Sequence, residues 1–476
     1  MKKVLVIGVF NVLHPGHVRL LRFARECGDH LIVAVQSDKT STQSSDVNEH
    51  LRLEGLQSNT YVNESFLTDQ DAVDLVRTLK PDVLVKGREH ENRKNPEEKI
   101  LAEYGGELLF DSGEVYFSSM NLLEREFERS VILSDQLPYD YMKRHGIRVD
   151  QLSSYIEKFS NLRIAVVGDL IMDEYIICDP LGMSQEDPTI VVTPIDKEIF
   201  IGGAGIVAAH AAGLGAEVKL ISVTGDDSLA KQAYEMLVQA NVDPYLINDK
   251  HRPTTLKQRF RAKGKTLLRV SHLHQSDINK HIQKQMIEEI KKIITDIDLL
   301  VFSDFNYGCL PDCVVNEMIQ LSKEHQVFIA ADSQSSSQIG DISRYKDVDL
   351  LTPTEREARI AVRDHNSGLV VLAESLRKST NAKNILLKLG EEGVLIHAIE
   401  ENKVEYLTDR ISALKSSPLD VSGAGDSMLI TSAMTLCLGG GVCQAALIGS
   451  VAAAMQVSRL GNRPLKMQEL QAAVKG

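Results

Sequence analysis

The chain has 476 residues, and at roughly 100 to 200 residues per domain that length implies two or three domains with room for well-buried cores. Apolar residues make up 43% and charged residues 25%, and Lys plus Arg (53) fall short of Asp plus Glu (66), a formal net charge of −13. This balance excludes extended disorder and disfavours a protein whose main task is to grip a polyanionic duplex or an anionic membrane, so any phosphate must be met at a local site.

The first 17 residues, MKKVLVIGVFNVLHPGH, read as an opening strand rather than a secretion leader, because the apolar run is short and is broken by Asn, His and Pro. No run approaches the roughly 18 apolar residues of a membrane helix. Cys27, Cys178, Cys309, Cys313, Cys437 and Cys443 show no Cys-x-x-Cys spacing, which points to a reducing, cytoplasmic setting with neither disulfide framework nor zinc site.

From the N-terminus, Val4 to Ile7 reads as a strand, His17 to Cys27 as a helix, Leu31 to Val35 as a strand and Asp71 to Leu79 as a helix. Val83 to Val85, Pro96 to Tyr104 and Leu108 to Phe110 continue the alternation as strand, helix and strand. Such alternation implies a parallel sheet covered on both faces. The stretch from about Phe127 to Asn161 is charged and helical in pattern, and a linker is expected there. A second alternating series follows, with strands at Ile164 to Val167, Val218 to Val223, Leu299 to Phe302, Val327 to Ala330 and Ile385 to Leu387. Its helices include Asn279 to Thr295 and the Ala- and Gly-rich runs Gly425 to Leu438 and Ala445 to Leu460. The expected organisation is α/β throughout: a small Rossmann-like domain over 1–128, a linker over 129–160 and a larger α/β domain with a small β lid over 161–476.

In the first half, Gly8-Val9-Phe10-Asn11-Val12-Leu13-His14-Pro15-Gly16-His17 ends a strand and opens a helix. Two imidazoles three residues apart at a helix entrance can face one phosphate group, with the helix N–H groups and dipole adding to the attraction. That arrangement suits attack on an α-phosphate, which needs positioning and charge stabilisation more than bond-making by the protein. The string, with Lys86 in Pro81-Asp82-Val83-Leu84-Val85-Lys86-Gly87 and the hydroxyl-rich Phe117-Ser118-Ser119-Met120-Asn121, resembles the cytidylyltransferase-like nucleotidyltransferases. The resemblance implies that His14 and His17 are catalytic and that Phe10, Lys86, Arg52, Ser118 and Ser119 contact the nucleoside triphosphate. Asn11 stands where that family usually has Asp, and Thr40 to Ser45 replaces its basic loop.

In the second half, Asp420-Val421-Ser422-Gly423-Ala424-Gly425-Asp426 precedes an apolar helix. Small residues let backbone amides approach an anion, and the carboxylate after them is placed to take a proton from an attacking hydroxyl. As a bare string Gly-Ala-Gly-Asp is also a helix cap. With Gly202-Gly203-Ala204-Gly205, Val167-Gly168-Asp169-Leu170-Ile171-Met172-Asp173 and Thr224-Gly225-Asp226-Asp227, it resembles the ribokinase-like (PfkB) carbohydrate kinases. The resemblance implies Asp426 as base, the Gly423, Ala424 and Gly425 amides as anion hole, and Asp169, Asp173, Gly202 and Gly203 at the sugar. In Thr352-Pro353-Thr354-Glu355-Arg356-Glu357 it implies a magnesium link through Glu357, where a helix-start glutamate is the plain alternative. Lys257, Arg259 and Arg261 alternate along one strand face; they suit either a lysine-protected sheet edge or a lid that holds the phosphate of an already phosphorylated sugar.

Together the halves resemble the bifunctional heptose 7-phosphate kinases and heptose 1-phosphate adenylyltransferases of ADP-heptose and lipopolysaccharide biosynthesis, here in reversed domain order. The resemblance implies ATP, Mg2+, ATP or CTP as nucleotidyl donor, sugar phosphate substrates, no nucleic acid or membrane partner, and a homodimer. Three departures face the substrate: Ile206 stands for an expected Asn, Tyr307 for a Lys, and Ser333-Gln334 for a Pro-Lys pair. They leave open another sugar or polyol, or a kinase half that binds without turnover.

Overall fold

The computed structural model describes residues 2–10, 13, 15–38, 48–87, 90, 95–111, 137–184, 186–187, 189–262, 265–335, 340–399, 406–414 and 419–475. Two compact units divide the chain: the first comprises Met1–Leu133, Val362–Ser375 and Thr408–Ser412, and the second comprises Ser134–Ala361, Leu376–Leu407 and Ala413–Gly476.

The first unit holds a five-stranded sheet of β1 (Lys3–Gly8), β2 (His30–Gln36), β3 (Glu64–Thr68), β4 (Val83–Gly87) and β5 (Glu107–Asp111). The order is β3-β2-β1-β4-β5 with every pairing parallel. Strand β1 shows why its apolar run is continuous. Val4 and Val6 face one core with Leu21, Ala24 and Val33, whereas Leu5 faces the other with Leu75, Val76, Ile100 and Leu101. A strand covered on both sides by helices must be apolar at odd and even positions alike. The order reverses between β1 and β4, and the crevice beyond the carboxyl ends of these two strands is where such sheets take ligands.

The second unit contains β6 (Arg163–Gly168), β9 (Glu217–Thr224), β10 (Val242–Asn248), β13 (Leu299–Asp304), β14 (Phe328–Ser333), β15 (Leu350–Leu351), β16 (Asn384–Lys388) and β17 (Val394–Ile399). They pair in the order β10-β9-β6-β13-β14-β15-β16-β17, parallel up to β16 and antiparallel from β16 to β17. Helix Ala204–Gly213 buries almost every residue, and helices Ala424–Cys437 and Val442–Val457 bury most of theirs, as helices that are apolar all round must. A separate sheet of β7 (Leu170–Met183), β8 (Ile190–Gly203), β11 (Thr255–Ala262) and β12 (Lys265–His272) has the order β12-β11-β7-β8 and corresponds to the expected lid.

One expectation needs correction. The span assigned to a linker, as far as it is described, forms helices Tyr139–Arg144 and Val149–Lys158. Leu152 and Ile156 are fully buried, and Tyr141 Oη donates to the Cys443 carbonyl at 2.9 Å. The charged residues that suggested a linker, such as Glu157 and Lys158, occupy the exposed face.

Candidate active site

In the second unit the ends of β14 and β16, the face of β11 and the start of helix Ala424–Cys437 enclose a cavity of about 600 Å³. Gly423, Ala424, Gly425 and Asp426 all line it. Gly423 takes φ of 76°, and a Cβ there would stand 2.6 Å from Asn462 Oδ1, so both conformation and space require glycine. The first amides of the helix have no intrahelical acceptor and lie at the positive end of its dipole. The turn therefore presents donors to an anion in the cavity.

Asp426 is buried, and Gln334 Nε2 donates to its Oδ1 at 3.0 Å. Burial, joined by the nearby Asp332 charge, pushes the Asp426 carboxyl up to about 7, with Lys388 and Lys257 pulling the other way. A carboxylate whose proton affinity lies near neutrality is suited to receive a proton from a hydroxyl. Lys388 Nζ donates to both oxygens of Asp332, at 2.9 and 2.8 Å.

The carboxylates expected at the sugar separate. Asp173 lines the cavity, accepts from Asn462 Nδ2 at 3.1 Å and lies 3.5 Å from Arg259 Nη2. A Cβ on Gly202 would come within 2.4 Å of Asp173 Oδ2, so glycine at 202 keeps that carboxylate in place. Among the described residues Asp173 Oδ1, Asn462 Oδ1 and Arg259 Nε are buried without a hydrogen-bond partner. Acceptors and a donor left over beside one cavity suit a polyhydroxylated ligand. Asp169 departs from the expectation: its oxygens accept from the amides of Phe305 at 2.8 Å, Tyr307 at 3.3 Å and Cys309 at 3.3 Å, so it anchors that loop. Gly203 lines the cavity.

The basic stripe is not a protected edge, because β11 pairs with β12 on one side and β7 on the other. Lys257 and Arg259 line the cavity, and Lys257 Nζ lies over the rings of Phe305 at 4.8 Å and Tyr307 at 5.2 Å. Arg261 departs from the expectation as well, being 3.3 Å from Asp420 Oδ2. Asp420 also accepts from Tyr175 Oη at 2.8 Å and from the Ser422 and Gly461 amides, both at 3.1 Å, which fixes the loop leading into the anion hole. Arg269 was not anticipated; it is the register partner of Arg259 on β12 and lines the same cavity.

Glu357 is buried, with Oε1 accepting from the Ser335 amide at 2.9 Å and Oε2 from the Thr354 amide at 2.7 Å. The Glu357 amide donates to Thr354 Oγ1 at 3.3 Å, completing a capping box. Among the described residues no group of three or more His, Cys, Asp or Glu could hold a metal ion. Among the described residues there is therefore no direct protein cage for magnesium. Each Glu357 oxygen keeps a second lone pair, which suits water of a hydrated ion carried by nucleotide phosphates.

In the first unit His17 lies in helix Pro15–Glu26, directly after β1, with its ring 5.1 Å from that of Phe10. Phe10 is buried at φ of 53°, a left-handed conformation uncommon for a bulky side chain. Lys86, at the end of β4, donates to Asn95 Oδ1 at 3.0 Å and to the buried Glu97 Oε1 at 2.8 Å. Arg52 corrects an expectation: its buried guanidinium donates to the Val9 carbonyl, to the Gln36 carbonyl at 3.0 Å and to Asp38, so it ties the ends of β1 and β2 together. His14, Ser118 and Ser119 lie outside the described residues.

Residues 161–468 match the pfkB family carbohydrate kinase model, and residues 5–105 match the cytidylyltransferase-like model. Bifunctional protein HldE of Nitratiruptor sp. is 29% identical over 314 residues, 65% of this chain and 64% of that protein. HldE of Wolinella succinogenes is 30% identical over 310 residues, 64% of this chain and 63% of that protein. The chain thus spans a little under two thirds of the length of these relatives. Among solved structures, Escherichia coli phosphofructokinase-2 with substrates and products superposes with a TM-score of 0.54 at 16% identity, over 66% of this chain and 98% of that one. Arabidopsis thaliana ribokinase with ribose and ATP gives 0.51 at 18% identity, over 66% of this chain and 99% of that one. At these identities the likeness establishes the ribokinase-like fold of the second unit. No described helix is long and apolar enough to cross a membrane. By its matched residues the chain belongs to the pfkB family of carbohydrate kinases and carries, ahead of the kinase region, a cytidylyltransferase-like one.

Proposed function

We propose that the chain catalyses two consecutive phosphate transfers. The second unit phosphorylates a sugar that already carries a phosphate, heptose-like, with ATP. The first then transfers a nucleotidyl group from ATP or CTP to the sugar phosphate, releasing pyrophosphate and giving an activated sugar for surface polysaccharide. In the kinase step Asp426 takes the proton of the attacking hydroxyl, Asp173 orients the sugar, and the Gly423 to Gly425 amides stabilise the charge of the phosphoryl group as it passes to the sugar oxygen. Glu357 is the residue that would hold a hydrated magnesium ion, which would offset phosphate charge. In the nucleotidyl step His14 and His17 contact the triphosphate at the entrance of the first helix.

The observation that carries this reading is the cavity that holds Lys257, Arg259 and Arg269 together with Asp173 and Asp426. Neutral sugars have no use for three cations in an otherwise acidic protein, whereas a phosphate monoester does. The test is ADP release from ATP across a panel of sugars supplied with and without a phosphate. Turnover confined to phosphorylated sugars is expected; equal turnover of the unphosphorylated forms would overturn the acceptor assignment.

A further inference from the structure

Lys388 is the last residue of β16, and only 12% of its side chain is exposed. Its amide donates to the Pro353 carbonyl at 2.7 Å, which fixes the strand end. Its ammonium is held by both oxygens of Asp332, whose own side chain is 2% exposed. Burial opposes the lysine charge, but Asp332, Glu357 and Asp426 outweigh it, and its pKa is raised. A charged ammonium thus stands on the cavity wall at the mouth of the anion hole: a Cβ built on Gly425 would lie 3.2 Å from Nζ. The neighbouring position contributes no charge, since Gln334 meets Asp426 with a neutral amide.

We propose that Lys388 is a further catalytic residue of the phosphoryl transfer, a cation delivered from β16 that touches the transferred phosphoryl group and is aimed by Asp332. This rests on the kinase reading above. In the step, the acceptor hydroxyl oxygen bonds to the γ-phosphorus, the bond from that phosphorus to the β,γ-bridging oxygen breaks, ADP leaves and the hydroxyl proton passes to Asp426. Negative charge on the equatorial oxygens is met by the helix amides on one side and by the Lys388 ammonium on another. A cation preorganised in a site of low polarity acts at this stage without reorganisation cost. Asp332 supplies that preorganisation and makes no contact with substrate.

A purely structural lysine that only neutralises Asp332 makes a different forecast, and a double variant separates the two. Lys388→Met should lower kcat for ADP formation about a hundredfold with the KM of the acceptor within about threefold of the parent. Lys388→Met combined with Asp332→Asn replaces the buried pair by neutral groups of similar size and should keep the melting temperature near that of the parent. The double variant should remain about a hundredfold slow, and Lys388→Arg should recover part of the rate. Return of kcat in the double variant to within about threefold of the parent would overturn the proposal, as would a single Lys388→Met variant of undiminished kcat. Asp426→Asn run in parallel tells the two claims apart. If it is inactive while Lys388→Met is not, only this inference fails; if it is fully active, the kinase reading fails first.

Discussion

The two units differ in where their basic side chains stand. In the second, Lys257, Arg259 and Arg269 converge on a cavity, whereas in the first, Arg52 is closed in by two strand-end carbonyls and Asp38, and Lys86 is paired with the buried Glu97. A basic residue inside a phosphate-handling motif is therefore not a phosphate ligand by type alone. What its charge faces depends on which strand ends and carboxylates the fold brings beside it. The kinase cavity is lined by its cations, whereas Arg52 and Lys86 of the first unit are turned to carbonyl and carboxylate oxygens of the chain itself.

That contrast can be broken or sharpened by substitution. The largest effect belongs to Asp426→Asn, which should reduce ADP formation about a thousandfold while leaving pyrophosphate release by the other unit unchanged; assaying both products in one sample checks it. The same substitution should stabilise the fold. The folded carboxyl sits near 7 against an ordinary 3.8, so between these values the folded chain holds more protons than the unfolded one and stability falls as pH rises through that window. Asp426→Asn should therefore raise the melting temperature at pH 8 and lose that advantage towards pH 4.

His17→Ala should cut pyrophosphate release from a nucleoside triphosphate and sugar 1-phosphate about a hundredfold without touching ADP formation; undiminished release would remove the helix entrance from the mechanism. Removing Arg259 and Arg269 together should raise the KM for the phosphorylated sugar on the order of tenfold to a hundredfold and leave the KM for ATP unchanged. A parallel rise for ATP would mean that these arginines serve the nucleotide instead. The pH dependence of kcat comes next. Because the base must be deprotonated and burial holds Asp426 near 7, the kinase rate should rise about tenfold from pH 6 to pH 8. The smallest catalytic effect should come from Arg52→Met, which lowers the melting temperature but leaves the KM for the nucleoside triphosphate within about twofold; a larger rise in KM would return Arg52 to the phosphate site.

The alternating halves and the two glycine-rich helix entrances were legible in the sequence because buried parallel strands are continuous apolar runs and phosphate turns need small residues. The helix Glu49–Gln57 and strand β3 were not anticipated, since the former is largely polar and the latter has only five residues, none fully buried before Thr68. The helical pattern over 139–144 and 149–158 was legible, but the charged outer faces hid that these helices pack into the second unit. Lys388 lies just beyond the apolar run Ile385 to Leu387, and nothing in its neighbours along the chain marks it. Its partner Asp332 is 56 residues away in sequence, and only the order β14-β15-β16 brings the two strand ends together. Asp169 and Asp173 could not be told apart either. They are four residues apart in one motif, yet one turns into a loop of backbone amides and the other into the cavity.

The central claim is that one chain carries out both transfers on one sugar. The direct measurement is mass spectrometry of the sugar products formed by the whole chain from a phosphorylated heptose-like sugar, with ATP alone and with ATP plus CTP. The account expects a sugar bearing a second phosphate in the first instance, and, where the required sugar 1-phosphate is present, a nucleotide-linked sugar formed with stoichiometric pyrophosphate. A sugar recovered unchanged in mass from every mixture, with no ADP and no pyrophosphate, would contradict it.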